Sequence, residues 1–179
     1  LAGIATNQSF GDNAHSQVLQ WGSFGQIDNG EFFQLESISV DDEGNVYVTD
    51  SGNARVQKFT SDGQFMGTWG VSGTDNGEFK KPTGIATYEN NVYVVDTEQA
   101  RIQVFDSTGK FLQSWGEFGS DHGELKKPTG IAISNDGVVY VADTENHRIQ
   151  QFTTDGEFLS SFGIFGLGDG KLRTPVDVA

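Results

Sequence analysis

An aromatic residue followed by glycine returns along this chain at a nearly constant interval. The pairs are Trp21-Gly22, Trp69-Gly70, Trp115-Gly116 and Phe162-Gly163. The steps from 21 to 69, 69 to 115 and 115 to 162 are 48, 46 and 47 residues. Two further landmarks keep the same period. Pro82-Thr83-Gly84-Ile85-Ala86 is matched by Pro128-Thr129-Gly130-Ile131-Ala132 and by Pro175-Val176-Asp177-Val178-Ala179, and Leu35 stands at the first proline position. Asp50, Asp96 and Asp143 are each followed five residues later by an arginine, Arg55, Arg101 and Arg148. A fixed period of this length signifies one supersecondary unit repeated, each unit needing its neighbours to bury its faces.

Within a unit the pattern predicts four short strands. The first is Ile85-Ala86-Thr87 and its equivalents, ending at turns such as Asp42-Glu43-Gly44-Asn45. The second (Val46-Tyr47-Val48-Thr49, Val92-Tyr93-Val94-Val95, Val138-Val139-Tyr140-Val141-Ala142) is β-branched and apolar on both faces, as a strand covered on both sides must be. The third (Arg55–Phe59, Arg101–Phe105, Arg148–Phe152) alternates, so one of its faces is expected to be less buried. Turns at Asp62-Gly63, Thr108-Gly109 and Asp155-Gly156 lead to the fourth, which ends on the aromatic-glycine pair. Four antiparallel strands per 46 to 48 residues make an all-β fold, a β-propeller of four-stranded antiparallel blades. Helical periodicity is missing, which excludes a helical solenoid.

The segment Tyr140-Val141-Ala142-Asp143-Thr144-Glu145-Asn146-His147-Arg148-Ile149-Gln150-Gln151-Phe152 resembles the NHL repeat. The naming triplet reads Asn146-His147-Arg148 here, with Asn53-Ala54-Arg55 and Gln99-Ala100-Arg101 in the other units. The frame of Val-x-Asp, Arg-Ile-Gln-x-Phe and Pro-x-Gly-Ile-Ala carries the resemblance over residues 16–179. It implies a propeller, usually of six blades, which at this period needs roughly 280 residues. The chain has 179. Three complete units, about 22–69, 70–115 and 116–162, are expected, with a fourth strand at 16–21, a first strand at 172–179, and an N-terminal segment 1–15 of unclear role. The favoured expectation is part of a six-bladed ring. A second copy completing the ring and a closed four-bladed ring are the alternatives, the latter drawing on residues 1–10.

Composition narrows the function. The net charge of −14 disfavours phosphate backbones and anionic membranes, so neither nucleic acid binding nor membrane insertion is expected. The pairs Lys80-Lys81 and Lys126-Lys127 are too few to reverse that. The absence of cysteine removes disulfides, thiol nucleophiles and thiolate metal sites. The sequon Asn7-Gln8-Ser9 is compatible with an extracellular or cell-surface location.

Candidate site residues follow from the repeat and from its exceptions. The brackets Asp50/Arg55, Asp96/Arg101 and Asp143/Arg148 can hold a polar ligand. They can equally bond turn N–H groups and clamp them in a charge-assisted pair, and recurrence in every unit favours that structural role. The interblade loops carry Asp75, Glu78, Asp121, His122 and Glu124, candidates for binding. Their carboxylates can in principle share Ca²⁺, but no unit has the dense acids of a calcium loop, and no other cofactor is called for. His147 joins the list because its unit differs there from the others; His15, His122 and His147 lie at different unit positions, which forces no zinc site. Trp69, Trp115 and Phe162 fit interblade core better than a ligand cage. The expected function is a non-catalytic binding or scaffold propeller engaging a protein, peptide or glycan through its interblade loops. A metal-dependent lyase or hydrolase with a channel-face site, and a structural surface-layer or filament subunit, are the alternatives.

Overall fold

The computed structural model describes residues 20–25 and 28–179. The N-terminal segment 1–15, with the sequon and His15, and most of the strand expected at 16–21 lie outside the described residues. Trp21 itself stands in no strand.

The first elements are two-residue strands inside the first interblade loop, β1 (Ser23–Phe24) and β2 (Glu31–Phe32), paired in parallel. Three four-stranded antiparallel sheets follow. The first holds β3 (Leu35–Val40), β4 (Val46–Asp50), β5 (Arg55–Phe59) and β6 (Phe65–Trp69). The second holds β7 (Pro82–Tyr88), β8 (Asn91–Asp96), β9 (Arg101–Asp106) and β10 (Phe111–Trp115). The third holds β11 (Pro128–Ile133), β12 (Val139–Asp143), β13 (Arg148–Phe152) and β14 (Phe158–Phe162). Each sheet is a meander in chain order, so each is a blade. Short 3-10 turns, Ser51–Asn53, Thr97–Gln99 and Thr144–Asn146, join the second and third strands of each blade.

The second strands are buried throughout in β4 and almost so in β8, as two-sided apolar runs require. The third strands depart from expectation. Their alternating polar position is held by Gln57, Gln103 and Gln150, all 0% exposed. The polar face is buried because each amide is used internally, as shown below.

Blades stack through aromatic rings and hydroxyls. Trp69 closes the first blade between its own Tyr47, 6.2 Å away, and Phe105 of the second, 5.9 Å away. Trp115 meets Phe152 of the third blade at 4.8 Å, and Trp21 meets Phe59 of the first at 4.7 Å. The indole of Trp69 lies on the hairpin turn of the next blade, where a Cβ on Gly109 would stand 2.7 Å from the ring and where φ is +89°. Only glycine satisfies both demands. The inner strands β3, β7 and β11 lie side by side. Thr49 Oγ1 donates to Thr83 O (2.7 Å) and Thr83 Oγ1 to Thr129 O (2.9 Å). Thr129 Oγ1 donates in turn to Val176 O (2.7 Å). Residues 175–179 thus take the place of the next inner strand, although no strand forms there.

Trp115 couples two blades through its ring alone, its indole N–H being buried without a partner. Trp115→Ala is expected to destabilise the chain by about 3 kcal/mol, the range for removing a large aromatic from a core. Urea unfolding should show a lower midpoint.

Candidate functional site

Each bracket aspartate sits at the end of a second strand, opposite its arginine at the start of the third: Asp50↔Arg55, Asp96↔Arg101, Asp143↔Arg148. The three aspartates are 0% exposed. In the first blade Asp50 accepts from Arg55 Nε (2.8 Å), Asn53 Nδ2 (2.9 Å), Gln57 Nε2 (3.1 Å) and the Phe33 N–H (2.8 Å). Asp143 repeats this with Arg148 (2.7 Å), Asn146 (2.8 Å), Gln150 (3.1 Å) and the Lys126 N–H (2.6 Å). The backbone donors belong to the incoming interblade loop, not to the turn beside the aspartate. A buried carboxylate needs such a donor set to stay charged.

The arginine and glutamine then hold the loop itself. Arg101 Nη2 donates to the carbonyls of Asp75 and Glu78 (both 3.0 Å), and Gln103 Nε2 also donates to Glu78 O (2.7 Å). Gln103 Oε1 accepts the Gly77 N–H at 2.9 Å. Arg148 and Gln150 treat Asp121, Glu124 and Gly123 in the same way. The carboxylates of Glu78 and Glu124 turn back to accept the N–H groups of Asp75 and Asp121. Phe79 and Leu125, each 0% exposed, plug the loops into the interblade core. The brackets are therefore loop anchors, and Glu78 and Glu124 are loop staples. The Arg-x-Gln spacing was the visible signal for the glutamines; its alternation with apolar residues disguised it as a solvent face.

The middle bracket is weaker. Gln99 replaces the asparagine of the other units, no glutamine reaches Asp96, and Arg101 Nε stands at 3.4 Å. Burial consequently raises the Asp96 pKa above the usual carboxylate value, against the pull of the Lys81 and Lys80 N–H groups and Arg101.

Of the candidate binding residues, Asp75, Asp121 and His122 stand exposed at loop tips. His122 stacks on Phe158 with ring centroids 4.7 Å apart. His147 is half-buried in the left-handed conformation, φ +57°, its Nδ1 accepting the Thr174 N–H (3.1 Å) and its ring packed on Phe165 at 4.8 Å. It fastens the following loop. Among the described residues no three His, Asp or Glu side chains are placed to hold a metal ion. Lys126 and Lys127 both reach Glu145, at 3.6 and 2.6 Å, which lowers the Glu145 pKa and raises that of Lys127. Those lysines do not form a free basic patch.

Sequence reading missed a row of aromatics. Phe24, Phe118 and Phe165 each lie three residues after the repeat aromatic, and they are 80%, 72% and 63% exposed. Each is paired in a parallel bridge with the plug residue of its own loop, Phe32, Leu125 and Leu172. A cavity of about 1000 Å³ forms an open slot on the first blade lined by Trp21, Phe32, Leu35 and Ile38.

The NHL repeat model matches residues 34–59 and 125–152. The two matched stretches, in the first and third blades, carry NHL repeats. Among solved structures, the blades are similar to a streptogramin B lyase (21% identity, TM-score 0.61, covering 81% of this chain and 44% of that one). They are also similar to the Kuenenia stuttgartiensis hydrazine synthase (18%, 0.61, 87% and 40%) and to a chain of a nidogen/laminin complex (22%, 0.57, 71% and 48%). At these identities the likeness establishes the propeller fold. The chain spans less than half the length of each. No curated protein matches.

Gln99→Asn should restore the missing donor to Asp96 and stabilise the chain by about 1 kcal/mol, as one hydrogen bond to a buried charge allows. A raised carboxyl pKa means that the native state binds the proton more tightly. The Asp96 contribution is thus present below the ordinary carboxylate value and is lost as pH rises through the native one. The stability gained by the variant over the parent, from unfolding free energies measured across acid pH, should grow as pH rises and Asp96 ionises.

Proposed function

We propose that these blades form a non-catalytic binding module that takes a protein or peptide partner on its interblade-loop face. The observation that carries this reading is the fate of the reactive-looking groups. Every bracket carboxylate and guanidinium is bonded to the loops, so the site chemistry is spent on holding backbone in place. Loops fixed in this manner lose little conformational freedom when a partner docks. Their outward side chains are what protein recognition uses: exposed aromatics at Phe24, Phe118 and Phe165, and exposed acids at Asp75 and Asp121. The excess of carboxylates favours a partner with basic residues.

The test uses a random-peptide display library selected on the immobilised chain. Selected peptides are expected to be rich in Lys and Arg. Most should be lost on a chain carrying Phe118→Ser, Asp121→Ala and His122→Ala, and kept on one carrying Asp136→Ala and Asp155→Ala in the hairpin turns of the third blade. Peptides indifferent to the loop-tip changes would sink the reading. So would a tightly bound metal with an open coordination position, found by elemental analysis of the dialysed protein; that result points to a lyase or hydrolase instead.

A further inference from the structure

Two of the interblade loops carry an asparagine followed by glycine at the same place, Asn29-Gly30 and Asn76-Gly77. This dipeptide is chemically labile. The glycine backbone nitrogen, unhindered by a side chain, gives up its proton and attacks the asparagine side-chain carbonyl carbon. A new C–N bond closes a five-membered imide as ammonia leaves. Water then opens either imide carbonyl, leaving aspartate or isoaspartate. No enzyme, oxidant or cofactor is needed. Both asparagines stand exposed at loop tips, where water reaches them.

The geometry points to a lock on this reaction. We infer that Asn29 and Asn76 are latent deamidation sites, each held unreactive by the buried glutamine bonded to the following glycine. The nucleophile in the second loop is Gly77 N, and its proton is engaged by Gln103 Oε1 at 2.9 Å. Gln103 is 0% exposed, and its other amide atom is committed to Glu78 O at 2.7 Å, so it cannot turn away. Deprotonating Gly77 would set an amide anion against a carbonyl oxygen inside a low-dielectric site. Swinging the nitrogen towards the Asn76 side chain would also open the turn closed by the Glu78 N–H to Asp75 O bond (3.1 Å) and move Gly77 from φ +85°. The first loop repeats the arrangement, with the Gly30 N–H on Gln57 Oε1 at 3.0 Å and Gln57 Nε2 on Glu31 O at 2.7 Å. Reaction is thereby restricted to moments when a loop leaves its anchor, and each event adds one negative charge to the loop tip.

Incubation of the whole chain in mildly alkaline buffer, followed by peptide mapping with mass spectrometry, reads both sites in one sample. In the native chain both should convert far more slowly than in the same chain unfolded in urea. Gln103→Met should speed conversion at Asn76 roughly tenfold, the effect of losing one hydrogen bond to a buried amide, and leave Asn29 unchanged. Gln57→Met should do the reverse. Native rates equal to those of the unfolded chain overturn the inference without recourse to any variant. A variant that speeds both sites equally overturns it too, since protection is then a property of the whole fold and not of each lock.

Discussion

Placing a carboxylate where no water reaches it is costly, and a propeller blade does so at every repeat. Asp50, Asp96 and Asp143 would be liabilities if they merely faced an arginine, because a buried ion pair often contributes less than apolar packing of the same volume. Their worth lies in what the charge organises. It orients the Arg side chains, and in the first and third blades the Gln side chains as well, so that their remaining donors meet loop carbonyls some 23 to 27 residues earlier in the chain. A polar core element thereby fixes irregular backbone, which has no ladder of its own to satisfy it. The loop that crosses between blades is thereby tied to the third strand of the blade it enters.

The same network explains why the blades differ in quality. Replacing asparagine by Gln99 adds one methylene, and the amide no longer bonds the carboxylate as Asn53 and Asn146 do. Asp96 is then short of donors, and two N–H groups from Lys80 and Lys81 serve it in place of the single loop donor that reaches Asp50 or Asp143. The fold absorbs the change because the loop is held by several independent contacts, among them the apolar plug Phe79.

Much of this was legible from the sequence. The period gave the blades, since a β-branched run such as Val92-Tyr93-Val94-Val95 is compatible only with a strand covered on both faces. The aromatic-glycine pair gave the interblade contact. The brackets were read as structural, but their direction was not visible, because nothing local tells an arginine to reach a loop rather than its own turn. The buried glutamines were hidden for a related reason: alternation marks a polar residue as outward, and only a long-range partner makes it inward. His147 was marked as an exception, and its bond to Thr174 depends on a loop that begins beyond the end of its blade.

Exposure at the two ends of the array measures the neighbour term directly. Ile38, Ile85 and Ile131 occupy one position of the inner strand, and they are 60%, 4% and 5% exposed. The backbone, the residue type and the pairing partner are equivalent; the difference is whether another complete blade stands against that strand. Phe162, 51% exposed, makes the same comparison with the partly buried Trp115 at the far side. The slot beside the first blade therefore has the apolar lining of a ligand pocket for a reason unrelated to ligands: it is a stacking surface without its counterpart among the described residues. Recognition surfaces in such an array belong where exposure persists in the interior repeats as well. Phe118, exposed in the loop between the second and third blades, which stack on each other, meets that criterion, whereas Leu35 and Ile38 do not.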